Sequence, residues 1–170
     1  RNRHNRTRME RFASVLLGSP RQEKDLVAAY VDIVNDFKPD IIQVFGSEHS
    51  YGLVAEYTDV PVVLHIQGIM NPYFKAFLPP STTWRDYIRT PFKPGSMLNK
   101  IYVKKRWEWA CARETRILKS IRYYLGRTEW DHEEVLKVNP EAFFFHGGEI
   151  LRQPFYYADM QDHWANYSAS

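Results

Sequence analysis

Apolar runs that lead into a glycine recur three times along the chain. Each run is rich in β-branched or aromatic residues and is followed by a helical pattern, which is typical of buried parallel strands in an α/β sheet. A fourth apolar run, which is mostly aromatic, follows the last predicted helix. The predicted strands are residues 40–45 before Gly46, 61–66 before Gly68, 121–125 before Gly126, and 142–146.

Apolar residues at helical spacing predict the intervening helices. These are residues 22–37, about 51–57, 97–119, and a helix that begins at the Thr128–Asp131 capping box and ends near Val138. A strand-helix-strand order in one sheet takes a right-handed crossover, so the strands should be parallel. We therefore predict an α/β fold, a Rossmann-like parallel sheet with helices on both faces. A short strand over residues 12–17 is a further prediction.

The length of 170 residues predicts a single domain over residues 1–170. Residues 1–11 carry five Arg and one Glu and form a basic leader. This leader has no initiator methionine, so we expect a cut made inside a longer protein. Residues 68–97 contain five prolines among aromatic residues, and we expect a long loop region there.

Composition limits the class of protein. The 44% hydrophobic and 15% aromatic content excludes a disordered chain. Cys111 is the single cysteine and no metal-type spacing surrounds it, so we expect no disulfide, metal or cofactor. The apolar runs are far shorter than the roughly 20 residues that cross a bilayer. We expect a cytoplasmic protein.

Basic charge is concentrated in two segments, the leader and residues 100–122, which hold eight Lys or Arg and two Glu. The second segment also contains Trp107 and Trp109. It either binds anionic lipid head groups, as a peripheral protein at the inner membrane would, or forms a solvated helix face with buried tryptophans. Nucleic acid is not expected, because no recognition module accompanies the charge.

Polar residues follow the glycine-ended strands, where α/β sheets bind ligands. Ser47 and Glu48 either contact a ligand or cap the next helix, and Arg127 either contacts an anion or sugar or forms an ion pair. We interpret His65 as a core residue with satisfied hydrogen bonds. Glu114 lies in an apolar helix stripe, so we expect Arg113 or Arg127 to pair with it. The substrate-binding candidates are Gly46, Ser47, Glu48, His49, Gln67, Gly68 and Arg127.

Four segments in order resemble the amino-terminal half of GT-B-fold, family 4 (group 1) retaining glycosyltransferases. They are KPDIIQVFGSEHSYG, PVVLHIQGIMNPY, IRYYLGRTEWDHEEV and NPEAFFFHGGEILRQPFY. The resemblance covers roughly residues 37–157 and is closest to bacterial capsule or surface-polysaccharide enzymes. Many family members have a histidine at the position of Gln67, so a histidine-based role does not carry over.

The resemblance implies an acceptor-binding domain, with residues 158–170 beginning an interdomain linker. The complete enzyme would transfer a sugar from a nucleotide-sugar donor to a glycan or lipid-linked saccharide. The donor would bind mainly through a second domain, so this chain alone should be inactive, and its catalytic residues are unknown. The alternative is a self-contained flavodoxin-like or Rossmann module that binds a nucleotide or sugar without catalysis. The chain has no Gly-x-Gly-x-x-Gly fingerprint for that alternative.

Overall fold

In the described part of the chain, four parallel strands form one sheet in the order β1-β2-β3-β4. The computed structural model describes residues 20–90 and 96–148. All three neighbouring pairs are parallel, which confirms the α/β, Rossmann-like class. Each strand lies within two residues of its predicted bounds: β1 is Ile42–Phe45, β2 is Val62–His65, β3 is Tyr123–Gly126 and β4 is Phe143–His146.

The helices follow the predicted order, with one difference between the first and second strands and another between the second and third strands. The 3₁₀ helix Ser50–Glu56 replaces the predicted helix after β1, and residues 68–97, expected as a loop, contain two short helices. The strand predicted over residues 12–17 lies outside the described residues. The helices are α1 (Pro20–Phe37), α2 (Met70–Lys75), α3 (Trp84–Arg89), α4 (Ser96–Ser120) and α5 (Glu129–Val138).

The core lies between one face of the sheet and the helices. Val44, Leu64 and Tyr124 occupy one register row across β1, β2 and β3, and all three are buried. They pack in one cluster with apolar residues from α1, the 3₁₀ helix, α4 and α5. Burial of this apolar surface is the main stabilising contribution to the fold. The core residues of those helices include Val27, Leu53, Ile117 and Val135.

The opposite face of the sheet carries the alternate residues of each strand. Phe45, His65, Leu125 and Phe145 form one row of that face, and none of them belongs to the core cluster. Within residues 20–90 and 96–148, the long helices pack on the other face. A second helical layer, which the sequence predicted, is therefore not found in the described part of the chain.

Two side chains hold the end of α4 against the start of β3. The Tyr124 hydroxyl donates to the carbonyl oxygens of Leu118 and Ile121 at 2.6 and 2.9 Å. Asn139 Nδ2 donates to the same two oxygens at 3.1 and 2.8 Å. These bonds satisfy carbonyls that lack helical partners at a helix end. Burial also raises the pKa of Tyr124 to about 12.

None of the helices described here is long and apolar enough to cross a membrane.

Candidate binding site at the carboxyl edge of the sheet

The three glycine turns meet at the carboxyl edge of the sheet. The Ser47 hydroxyl oxygen, after β1, lies 3.3 Å from the carbonyl oxygen of Gly68. Arg127, after β3, donates through Nη2 to the carbonyl oxygen of Gln67 at 3.4 Å. The parallel register therefore brings the predicted site residues of all three turns together, as expected for strand ends in a parallel sheet.

Gly46 makes the first turn possible. Its φ of +76° lies in the left-handed region, which disfavours residues with a Cβ. An added Cβ would also collide with the carboxylate of Glu48, which folds back over this glycine. Glycine at this position thus lets the chain turn sharply out of β1 and keeps the Glu48 side chain at the edge.

Glu114 of α4 lies beneath the turns and is fully buried. Its Oε1 accepts from the Ser47 hydroxyl at 2.5 Å and from the Met70 amide at 2.8 Å. Its Oε2 accepts from the Asn71 amide at 2.8 Å and from Asn71 Nδ2 at 2.7 Å. Four donors satisfy the carboxylate, which offsets the free energy of burying its charge.

The prediction that Arg113 or Arg127 pairs with Glu114 is wrong. Arg113 donates to the backbone oxygen of Glu48 and lies 3.7 Å from the carboxylate of Glu23. Backbone amides at the start of α2 satisfy Glu114 instead, and sequence patterns do not reveal such donors. Arg113 and Glu114 are neighbours on α4, and both hold the first turn. Arg113 binds the backbone oxygen of Glu48, and Glu114 binds the Ser47 hydroxyl.

The candidate residues of the first turn divide into buried and exposed groups. Ser47 is only 3% exposed, and its hydroxyl is bonded within the protein. It acts as a structural link rather than a group open to a ligand. Glu48 and His49 are exposed, and the His49 ring contacts the Tyr51 ring edge-on at a centroid distance of 5.6 Å.

The second and third turns contribute Gln67 and Arg127. Gln67 is exposed, and Arg127 is partly exposed. The amides of Arg127 and Thr128 donate to Oδ2 of Asp131 at 3.1 and 3.0 Å, and the Asp131 amide donates to Oγ1 of Thr128 at 3.1 Å. This reciprocal capping box, predicted from the sequence, fixes the backbone at Arg127.

Tyr73 of α2 is an aromatic residue at this edge that the sequence analysis did not select. A Cβ added at Gly68 would lie 3.3 Å from Cε2 of the Tyr73 ring, so the ring covers this glycine closely. Tyr73 is nevertheless 56% exposed. The only sequence signal was an aromatic residue shortly after the second glycine, inside a segment that looked like a loop.

His65 lies on the face of the sheet that does not contact the core cluster. It does not take part in this site. Its ring is 5.2 Å from the ring of Phe45. Both ring nitrogens are shielded from solvent, and neither has a hydrogen-bond partner within the part of the chain described. The expectation of a core histidine with satisfied hydrogen bonds is therefore wrong.

Cys111 lies one helical turn before Glu114 and is buried. Burial, together with the nearby negative charge of Glu114, raises the pKa of its thiol to about 11. The thiol thus stays protonated at neutral pH and is a poor nucleophile or metal ligand. In residues 20–90 and 96–148, no group of three or more His, Cys, Asp or Glu side chains could hold a metal ion.

The exposed side chains at this edge suit a ligand rich in hydroxyl groups. The Glu48 carboxylate can accept hydrogen bonds, the Gln67 amide can accept and donate, and the Arg127 guanidinium can donate. Among the cavities lined by described residues, two of about 490 and 400 Å³ lie beside α1, and no candidate from the three turns lines them. We assign the site to the open edge because the polar groups converge there.

Comparison of the chain with family models, curated proteins and solved structures finds no match.

Proposed function

We propose that this chain is the acceptor-binding half of a retaining glycosyltransferase of GT-B fold, the family that its sequence resembles. The complete enzyme transfers a sugar from a nucleotide-sugar donor to a glycan or lipid-linked saccharide in surface-polysaccharide synthesis. The supporting observation is the convergence of Glu48, Gln67 and Arg127 at one open edge of a parallel sheet. These groups together accept and donate hydrogen bonds, as recognition of sugar hydroxyls requires.

Tyr73 adds an exposed aromatic ring to the same edge, next to Gly68. An aromatic face packs well against the apolar C–H face of a sugar ring, while polar groups nearby bind its hydroxyls. The ring and the three polar side chains therefore suit one saccharide unit. Acceptor saccharides, rather than the donor, are the proposed ligands of these residues.

The chain by itself is not expected to transfer sugar. In glycosyl transfer from a nucleotide-sugar, positive groups must stabilise the leaving diphosphate in a water-poor site. Arg127 lies at an open edge and already donates to the carbonyl oxygen of Gln67. In the proposed enzyme, a second domain supplies the diphosphate contacts and closes the site.

Saturation-transfer NMR of the chain with a panel of mono- and disaccharides of glucose, galactose and N-acetylglucosamine tests this proposal. Calorimetry with UDP-, GDP- and dTDP-sugars completes the test. We expect weak saccharide binding, abolished by Tyr73→Ala, and no nucleotide-sugar binding. Micromolar nucleotide-sugar affinity or sugar transfer by this chain alone would contradict the proposal and favour a self-contained binding module.

We propose an anionic membrane surface as a further partner, because α4 combines basic and aromatic residues. Lys105 and Arg106 are exposed on α4, and Met97 and Leu98 are exposed near its start. Exposed apolar side chains and cations on one helix favour adsorption to anionic lipid. An aromatic cluster of Phe74, Phe77, Trp84, Tyr87 and Trp107 joins α2 and α3 to this helix.

Vesicle co-sedimentation tests the membrane partner separately from saccharide binding. We expect the chain to bind phosphatidylglycerol vesicles, to bind phosphatidylcholine vesicles weakly, and to lose binding as salt increases. The variant Arg106→Glu should lower binding, whereas Lys24→Glu on α1 serves as a control of equal charge change. Equal binding by both variants would exclude α4 as the lipid-binding surface.

A further inference from the structure

One stripe of α1 and the outer edge of β1 form a single apolar surface, which we call the β1 surface. Apolar residues of the stripe follow one another at intervals of four, three and four positions, so they lie along one side of the helix. They are Leu26, Tyr30, Ile33 and Phe37. Tyr30 is partly exposed and the other three are exposed, so the stripe lies beside the core rather than in it.

The strand β1 is at the edge of the sheet, because β2 is its only strand neighbour in the described part of the chain. The amides of Ile42 and Gly46 each donate to a carbonyl oxygen of the β2 segment at 2.9 Å. Because backbone groups alternate in direction along a strand, the N–H and C=O groups of Gln43 and Phe45 point to the outer edge. The strand has no charged residue or proline, features that keep an edge strand from pairing.

The stripe of α1 lies next to this outer edge. A cavity of about 400 Å³ separates the two elements. Tyr30 and Ile33 line it from α1, and Gln43 and Val44 line it from β1. The middle of the stripe is therefore level with the middle of the strand, and the cavity gives room for side chains of a partner.

The exposed area of the β1 surface is close to what a stable dimer needs. Its five most exposed apolar residues are between 43% and 78% exposed. Together they present on the order of 600 Å² of apolar surface. A stable interface buries about 800 Å² on each partner, and the backbone edge of β1 adds to the apolar total. The five residues are Leu26, Ile33, Phe37, Ile41 and Phe45.

The strand edge is complementary to itself. When two copies of β1 pair antiparallel with Gln43 opposite Gln43, Ile41 of each copy lies opposite Phe45 of the other. The outward N–H and C=O groups of these residues then form hydrogen bonds between the copies. Ile41 and Phe45 lie on one face of the strand, so each pair also buries two exposed apolar side chains.

The stripe of α1 is complementary to itself about the same two-fold axis. Antiparallel packing of two copies of α1 places Tyr30 opposite Ile33 and Leu26 opposite Phe37. The centre of this arrangement lies about 8 Å along the helix from Phe37. The centre of the strand pair lies about 7 Å along β1 from Ile41, close to the end of α1. One axis therefore satisfies both elements.

We propose that a second copy of this chain is the partner of the β1 surface, and that the two copies form a two-fold dimer with one continuous sheet. In such an interface the same patch of each copy contacts the other. Antiparallel pairing satisfies the outward backbone groups of β1, while the two stripes of α1 bury their apolar side chains. The proposal does not depend on a saccharide ligand, because Gln67 and Arg127 follow β2 and β3.

Sedimentation velocity of the full chain at increasing concentration tests the dimer. We expect the wild-type chain to reach the dimer mass and Ile33→Asp to remain a monomer, because the variant places a charge in the buried stripe. Leu98→Asp is the matched control and should leave the dimer unchanged, since Leu98 is exposed on α4. A monomeric wild-type chain, a dimer that persists in Ile33→Asp, or an equal loss in both variants would overturn the proposal.

Disulfide trapping tests the register and keeps the test decisive if Ile33→Asp fails to fold. Opposed residues of a hydrogen-bonded antiparallel pair have Cα atoms about 5.5 Å apart, within reach of a disulfide. In a Cys111→Ala background, we expect Gln43→Cys to form a disulfide-linked dimer. Phe45→Cys should form none, because its two copies would lie about 13 Å apart along the strands. No linked dimer for Gln43→Cys, or equal linking in both variants, would overturn the proposed pairing.

Discussion

The Ser47 hydroxyl and the Glu114 carboxylate are separated by 67 positions in the sequence and are joined by a hydrogen bond of 2.5 Å. Both residues are buried, and the bond ties the first glycine turn to the middle of α4. The same carboxylate holds the start of α2 through the amides of Met70 and Asn71. Glu114 therefore sets the position of two of the three turns that form the candidate site.

Replacing Glu114 with glutamine should destabilise the fold. Each carboxylate oxygen accepts from two donors, so the new NH₂ group would face two donors in either orientation of the amide. Leaving such buried groups unsatisfied costs about 2–3 kcal/mol. Urea unfolding of Glu114→Gln measures this loss.

Glu108→Gln on the same helix is the matched control. Glu108 forms partly exposed ion pairs with Lys104 and Lys105, and losing such pairs changes stability by less than about 1 kcal/mol. If Glu114→Gln and Glu108→Gln had equal free energies of unfolding, the Glu114 network would not hold the turns together.

Gly46→Ala should also destabilise the chain. A left-handed backbone with a Cβ costs roughly 1–2 kcal/mol, and the new methyl group would displace the Glu48 carboxylate. Gly148→Ala is the control, because a Cβ there meets no atom within 4 Å. Thermal unfolding should show a lower midpoint for Gly46→Ala alone, and equal midpoints would contradict the structural role of Gly46.

The Cys111 thiol should be protected from thiol reagents in the folded chain. Its pKa rises from 9.0 to about 11, so little thiolate forms below that pH. We expect slow reaction with a disulfide reagent at pH 8 in buffer and fast reaction in urea. Equal rates in both solvents would show that the thiol is accessible in the fold.

The same shift predicts how stability depends on pH. Between pH 9 and about 11 the unfolded chain loses the thiol proton while the folded chain keeps it, so stability falls as pH rises. Below pH 9 this contribution is fully present. Cys111→Ala should show a smaller loss of stability over that interval, measured by urea unfolding at each pH, and an unchanged loss would contradict the assignment.

The sheet and its edge could be predicted from the sequence because their signals are local. Glycine after Phe45 and glycine after Leu125 mark strand ends, and Thr128 with Asp131 marks a helix start. Parallel pairing then follows from the strand-helix-strand order. The convergence of the three glycine turns could also be predicted, because the carboxyl ends of parallel strands share one edge of the sheet.

Two features were not predictable in this way: the hydrogen-bond partners of Glu114, and which face of the sheet the described helices cover. Two of the four donors to Glu114 are backbone amides at the start of a short helix, in a proline-containing segment that looked like a loop. Strand β4 carries Phe143 and Phe145 on one face and Phe144 on the other, and local patterns do not show that the described helices pack only on the Phe144 side. Both features depend on contacts between segments that are distant in sequence.

Substitution of Gln67 tests most directly the proposed binding of a saccharide at the carboxyl edge. Gln43→Ala is the matched control, because Gln43 is also exposed but lies within β1, on the face of the sheet that does not contact the core cluster. We predict that Gln67→Ala weakens the affinity for the saccharide that binds best, measured by NMR titration, about tenfold, or 1.4 kcal/mol, while Gln43→Ala leaves it unchanged. Unchanged affinity for Gln67→Ala, or an equal loss in both variants, would contradict the account.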